Sequence, residues 1–200
     1  MTTSLRPLDG PALETLFTGA RTANSFAATT VTDGELAAIW DLAKWPPTAA
    51  NVQPLRVVFV REEDGRSRVL SHMDEGNVAK TSSAPVVAIL ALDTRFHDHI
   101  PTVLPFRPEL REVFAGDDSM RENVGSFNGA LQAGYFVMAV RALGLAAGPM
   151  AGFDRKALDN DFFPDGRWES ILVVNIGHPS EDAWFDRLPR LDATETVKWA

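Results

Sequence analysis

The chain reads as an α+β domain, and three observations carry that reading. Residues 55–60, 86–92 and 170–177 are short apolar runs rich in β-branched residues, with the length and composition of strands. Residues 33–43 and 119–143 instead place apolar side chains every three or four positions, the period of a helix. Strands mixed with longer helices, without a repeat or a low-complexity stretch, indicate an α+β or α/β layering of sheet and helices. Two hundred residues and 21.9 kDa suit one domain, 1–200.

The elements follow in order. Residues 11–19 predict a short helix capped by Asp9 or Gly10, with Pro11 early in its first turn. Residues 21–30 are polar and irregular. Thr32 and Asp33 then cap a helix whose Leu36, Ile39, Trp40 and Ala43 share a face, and Pro46 and Pro47 stop it. The strand at 55–60 is followed by a helix near 66–72, a loop, and the strand at 86–92. Residues 93–118 hold three prolines and mixed charge, with a short helix near 109–114. They are long for a plain connection and are expected to form an insertion or lid over a site. In the helix at 119–143, Phe127, Leu131, Tyr135, Met138 and Leu143 alternate with Gly129, Ala130, Ala133 and Gly134. That pattern predicts burial on several sides, in a core or at a dimer interface. Gly144 closes the helix. A turn at 148–152, a short helix from Asp154 and the strand at 170–177 complete the domain. The tail 178–200, with Trp184, Phe185 and Trp199, has little periodicity and is expected on a partner subunit.

Composition excludes several functions. Nineteen Lys and Arg against twenty-seven Asp and Glu leave a net charge of −8, which argues against nucleic-acid binding. With no Cys there is no thiolate metal site, iron–sulfur cluster, cysteine nucleophile or disulfide. The apolar run at 84–92 is about half of a membrane span, and the first residues carry no signal-peptide pattern. A cytoplasmic protein with no membrane role is the expectation. No G-x-G-x-x-G, P-loop or G-x-S-x-G motif occurs. His97 and His99, beside Asp93 and Asp98, lack a third ligand and read as a solvated charged loop, so no metal is expected. His72 and His178 stand alone.

Three segments resist a purely structural reading. In 46–54 (PPTAANVQP), small residues leave backbone approachable while Asn51 and Gln53 offer donors and acceptors; a rigid turn is the alternative. In 144–154 (GLAAGPMAGFD), Pro149 and Met150 offer an apolar face and the peptides up to Gly152 offer donors to a flat heterocycle. A helix cap running into a turn explains the same glycines. Arg21, Lys80 and Arg187 are either solvated charges or, gathered in space, a site for an anion such as phosphate.

Taken together, Arg21-Thr-Ala-Asn-Ser25, the P-[ST]-x-x-N-x-Q-P loop of residues 47–54, Gly76-Asn-Val-Ala-Lys80, residues 148–154 (GPMAGFD) and Arg187-Leu-Pro189 resemble the flavin-binding pattern of the nitroreductase family. Residues 44–51 (KWPPTAAN), 141–145 (RALGL), 148–155 (GPMAGFDR), 175–177 (NIG) and 187–191 (RLPRL) resemble its subgroup of malonic semialdehyde reductases in pyrimidine degradation. The resemblance implies a nitroreductase-like α+β fold, with a mixed central sheet flanked by helices. It also implies an intertwined homodimer and FMN at the subunit interface, with NADH or NADPH as co-substrate. Arg21, Thr22, Ala23 and Ser25 would lie along the phosphate and ribityl chain, with Arg187 on the phosphate. Thr48 and Asn51 would line the flavin from the other subunit. Asn77 and Lys80 would meet its pyrimidine edge, and Pro149, Met150, Ala151 and Gly152 would pack on the ring near N5. Ala23 and Ser25 stand where many relatives carry Ser and Lys, and Ala151 where several carry Glu. The flavin would carry the hydride, so no protein side chain is expected as a catalytic acid or base. The substrate would be a small carbonyl, malonic semialdehyde above all, or a quinone or nitro compound. A flavin-binding storage or sensor protein is the reading from another class.

Overall fold

The computed structural model describes residues 6–200. Its frame is a four-stranded sheet in the order β1-β2-β4-β3, built from β1 (Leu55–Val60), β2 (Val86–Asp93), β3 (Ala146–Met150) and β4 (Trp168–Gly177). All three ladders are antiparallel, so the parallel pairing that would make the sheet mixed is absent among the described residues. The connections explain this. Two short helices, α3 (Glu63–Ser71) and α4 (Glu75–Ser83), bring the chain back to the end of the sheet it left, where Val60 stands opposite Val87. A parallel neighbour needs a crossover to the far end.

The strand β2 is buried on both faces, which is why 86–92 reads as continuous apolar sequence. Val86, Ala88 and Leu90 share one cluster with Phe136, Ala139 and Ile39. Val87, Ile89 and Ala91 share another with Val69, Met73 and Leu158. The period of two along a strand sends successive side chains to opposite faces. The first cluster is covered by α2 (Asp33–Ala43) and the long α7 (Asp118–Ala142). The cap of α2 is reciprocal: Thr32 Oγ1 accepts from the Glu35 amide at 3.2 Å, and the Glu35 carboxylate accepts from the Thr32 amide at 2.7 Å. The second cluster is closed by α3 and α8 (Arg155–Phe162).

Within one chain, α7 buries a single face, carrying Asn128, Gln132, Ala133, Phe136 and Val140. Phe127, 72% exposed, and Tyr135, 43% exposed, point away from it. Burial on several sides, expected from the mixture of bulky and small residues, is therefore not achieved by this chain alone.

Residues 94–118 fold as a 3-10 turn at Phe96–His99 followed by α5 (Ile100–Val103) and α6 (Leu110–Gly116). Phe96, Ile100, Phe114 and Val52 form a small core of their own, with the Phe96 and Phe114 rings edge to face at 5.4 Å. The tail divides in two. Residues 178–187 run beside residues 18–26 of the same chain: Phe26 bridges to Pro179, and the Asn24 amide donates to the Ala183 carbonyl at 3.0 Å. Residues 188–200, including the short α9 (Ala193–Thr196), are exposed throughout. The part free to lie on a partner thus begins near 188, not at 178. Among the described residues, no helix is long and apolar enough to cross a membrane.

Two elements were not expected. The turn at 148–152 is largely the edge strand β3, where Pro149, opposite Val174, is tolerated because an edge position can spare one amide. The loop before β2 is α4, which buries little besides Thr81 and so lacks an apolar period.

Candidate functional site

The predicted residues fall into three groups, two of them set along β3. At its start, the Ala23 amide donates to the Ala147 carbonyl at 3.4 Å. A Cβ on Gly148 would stand 2.9 Å from the Ala23 carbonyl oxygen, so the 21–23 segment lies directly over the strand. Arg21, Thr22 and Arg187 line one cavity of about 320 Å³. Arg187 donates to the carbonyls of Thr18 and Ala20, at 2.6 and 2.9 Å. Arg21 donates to the Phe185 carbonyl at 3.1 Å and lies over the Trp184 ring at 5.7 Å. Neither guanidinium pairs with a carboxylate among the described residues, in a chain of net charge −8. Ala23 and Ser25 do not join this cavity. Ala23 is buried, and the Ser25 hydroxyl is held by Ser180 and by the Asp182 carboxylate at 2.9 Å. Those hydroxyls, Ser180 first, hold the Asp182 carboxyl below its ordinary pKa.

The carbonyls that Arg187 grips exist because the first helix is cut short. The expected helix over 11–19 is α1 (Gly10–Leu13) followed by a π-turn, Glu14–Thr18, in which the Gly19 amide returns to the Glu14 carbonyl at 2.7 Å. A helix end leaves carbonyls without intrahelical partners, and π-turns frequently mark functional sites.

At the far end of β3, the Gly152 carbonyl accepts from the Asp74 amide at 3.1 Å and from Asn77 Nδ2 at 2.8 Å. A Cβ at Gly152 would meet Asn77 Nδ2 at 2.6 Å and Asp74 Oδ2 at 2.7 Å, so only glycine leaves this junction closed. Lys80 lies one turn beyond Asn77 on α4, half-buried and without an ion pair among the described residues. Pro149 is half-buried and Ala151 exposed, whereas Met150 points into the second core cluster, its sulfur near Thr81 and Asn175 at 3.7 and 3.8 Å. Met150 therefore shapes the strand from beneath.

The third group, Thr48 and Asn51, sits elsewhere, and among the described residues no hydrogen bond joins it to the other two. Its loop is strained: Ala50, Asn51 and Gln53 have φ of 50°, 52° and 43°. Such non-glycine residues cost about 1–3 kcal/mol each and cluster at functional sites. Two side chains one turn apart on α7 hold the loop. Asn128 Oδ1 accepts from the Ala49 amide at 2.8 Å, and Gln132 Oε1 accepts from the Leu55 amide at 2.9 Å. Within it, Thr48 Oγ1 accepts from the Gln53 amide at 3.3 Å, and Asn51 Nδ2 donates to the Val103 carbonyl at 2.7 Å.

One residue not singled out from sequence belongs with the first group. Arg141, in the last turn of α7, shares with Arg21 a cavity of about 390 Å³ adjoining the first at Ala20 and Arg21. The signal was available: Arg141 is the one charged residue between Glu122 and Asp154. His97 and His99 take other roles. His97 is buried, and burial foremost lowers its pKa, while His99 lies 3.6 Å from Asp93.

A model described as the Nitroreductase family matches residues 18–178. A Streptomyces coelicolor protein provisionally named an NADH dehydrogenase/NAD(P)H nitroreductase is 61% identical over 185 residues, covering 92% of each chain. One from Streptomyces griseus under the same provisional name is 49% identical, over 95% of this chain and 96% of its own. Among solved structures, a provisionally named nitroreductase from Exiguobacterium sibiricum in complex with FMN superimposes with a TM-score of 0.83 at 17% identity, over 99% of this chain and 100% of that one. A nitroreductase family protein from Streptococcus pneumoniae gives a TM-score of 0.80 at 20% identity, over 90% and 96%. By the span of the family match and the identity to these relatives, the chain belongs to the nitroreductase family.

Proposed function

We propose that this protein is an FMN-dependent NAD(P)H oxidoreductase, and the observation that carries the reading is the line of groups along β3. Unpaired guanidiniums stand at one end of the strand and the Asn77–Lys80–Gly152 cluster at the other. From Ala147 to Gly152 is about 17 Å of extended chain, at roughly 3.3 Å per residue. An elongated mononucleotide with a phosphate at one end and a polar heterocycle at the other suits that spacing of charge. The residues fit the group: Arg21 and Arg187 lack carboxylate partners among the described residues, Gly148 lets the 21–23 segment lie against the strand, and Gly152 lets Asn77 close on its far end.

In this reading Arg21 and Arg187 hold the phosphate, for which a guanidinium supplies a bidentate fork. Thr22 lies along the chain beyond it. Asn77 and Lys80 would meet the pyrimidine edge, Lys80 placing positive charge there, and the backbone of Pro149 to Gly152 would pack on the ring. FMN, when bound, would supply the hydride chemistry between NADH or NADPH and an acceptor. One cavity serving donor and acceptor in turn gives ping-pong kinetics.

The protein acts as a homodimer in this account. Met120, Phe127, Leu131 and Tyr135 form an exposed apolar stripe on α7, and Leu188, Leu191 and Trp199 are further exposed apolar side chains in the tail. Thr48 and Asn51, apart from the β3 groups within one chain, reach the flavin of the second subunit, with residues 93–118 as their cover. The sequence features of the malonic semialdehyde reductase subgroup support that substrate, a small carbonyl compound bearing a carboxylate. A carboxylate calls for a free cation, yet Arg107 pairs with Glu109, Arg111 with Glu112 and Asp98, and Arg121 with Asp118. That observation favours the second reading, a general nitro or quinone reductase. Initial rates over a grid of NADPH and acceptor concentrations test both levels. Parallel double-reciprocal lines support the shared cavity, and intersecting lines refute it. The kcat/KM for malonic semialdehyde against a quinone and a nitroaromatic decides the acceptor.

A further inference from the structure

Arg141 is a half-buried cation whose surroundings do not account for its charge. Among the described residues its Nε is enclosed without a hydrogen-bond partner, and its one polar contact is a long donation, 3.5 Å, to the Leu16 carbonyl. The carboxylates of Glu14 and Asp186 line the adjoining cavities, but neither pairs with Arg21, Arg141 or Arg187. The C-terminus of α7 favours a basic residue there, as any helix end rich in free carbonyls does. That explains a cation at this position but not one turned inward and left without a partner. Arg187 lies close enough to oppose its charge, and burial first, then Arg187, pushes the Arg141 pKa down. Arg141 and Arg187 also converge on one short segment, donating to the carbonyls of Leu16, Thr18 and Ala20, immediately before Arg21. Two like charges held together without a carboxylate are costly unless an anion completes the set.

We propose that Arg141 is a third cation of the phosphate site, directed at the phosphate monoester from the α7 side while Arg21 and Arg187 approach it from the 18–21 segment and the tail. This rests on the FMN reading and adds a residue to it. The role predicts selectivity between ligands that differ only in the phosphate. Riboflavin carries the ring and ribityl chain without the monoester, so loss of Arg141 weakens FMN and spares riboflavin.

The test is the dissociation constants of FMN and riboflavin for the flavin-depleted full-length protein, measured by flavin fluorescence, for the wild type, Arg141→Met and Arg141→Lys. The expected result is an FMN constant raised tenfold or more in Arg141→Met, with riboflavin changed less than twofold. Arg141→Lys, which keeps the charge, recovers most of the FMN affinity. Equal weakening of both flavins, or of neither, overturns the proposal and leaves Arg141 as a brace for the Leu16 carbonyl. Should the wild type bind neither flavin, the FMN reading fails by itself. The phosphate role is then decided by inorganic phosphate alone: a phosphate-dependent rise in Tm present in the wild type and lost in Arg141→Met supports it, and a rise equal in both, or absent from both, overturns it.

Discussion

Replacing Gln132 by Met tests how the strained loop at 48–55 is held. The side chain of Gln132 is buried and its Oε1 accepts from the Leu55 amide at 2.9 Å, at the first residue of β1. Met keeps the volume and removes the acceptor. Leu55 is itself buried, so water cannot take the place of the lost carbonyl oxygen. An orphaned buried donor costs about 1–3 kcal/mol. For a chain of this size each kcal/mol lowers Tm by roughly 2–4 °C, so the expected fall is roughly 2–12 °C. Relief of strain at Ala50, Asn51 and Gln53 offsets part of this and places the outcome toward the lower end. Asn128→Leu supplies the contrast. Its partner, the amide of exposed Ala49, can turn to water, so the loss of Tm is smaller. Calorimetry gives the two Tm values and amide exchange reports Leu55 directly. An unchanged Tm and an unchanged Leu55 exchange rate in Gln132→Met would refute the claim that α7 clamps this loop.

Other expectations follow from the same geometry. Arg187→Ala raises the FMN dissociation constant roughly 10- to 150-fold, the equivalent of the 1.5–3 kcal/mol typical of a charge-assisted contact; full flavin occupancy on purification would contradict its placement. Gly148→Ala drives a Cβ to 2.9 Å from the Ala23 carbonyl, a backbone atom, and costs about 1–3 kcal/mol, read as a lower denaturation midpoint. Asp93 is buried, but Arg167 at 3.0 Å, the Arg95 amide and Arg56 at 2.8 Å outweigh that burial and hold its pKa below the ordinary value. Its stabilising contribution is therefore complete above about pH 4–5 and is lost as pH falls through the folded pKa. Asp93→Asn should be less stable than the wild type at pH 7, and the gap in Tm should narrow toward pH 3. Dilution well below micromolar should release subunits and flavin together, followed by sedimentation and flavin fluorescence. A monomer that keeps its flavin would contradict a site shared between subunits.

The sequence displayed much of the core in three apolar strands and in α2, but the period it showed in α7, Phe127, Leu131 and Tyr135, lies on the exposed face, while the buried face carries Asn128, Gln132, Phe136 and Val140. It concealed β3, whose Gly148 and Pro149 are unusual in strands and are admitted here by an edge position and a close approach to Ala23. It concealed α4 because that helix is held by Asn77, Asp74 and Thr81 rather than by an apolar face. Among the site residues, Arg21 and Arg187 were legible as cations in an acidic chain, and the structure brings them to one cavity. Met150 was not legible as a core residue, since periodicity over three residues cannot say which way a strand side chain turns. Arg141 was visible as an isolated charge on an apolar helix, but its proximity to Arg187 depends on a fold that joins residues far apart in sequence.

A flavoenzyme reduced by a nicotinamide changes colour when its donor is added. An anaerobic visible spectrum of the purified protein, taken before and after NADPH and then NADH, tests the FMN reading most directly. An oxidised flavin band that bleaches on addition of one of them is expected. No flavin band even after reconstitution with FMN, or a bound flavin that neither nucleotide bleaches, would contradict it.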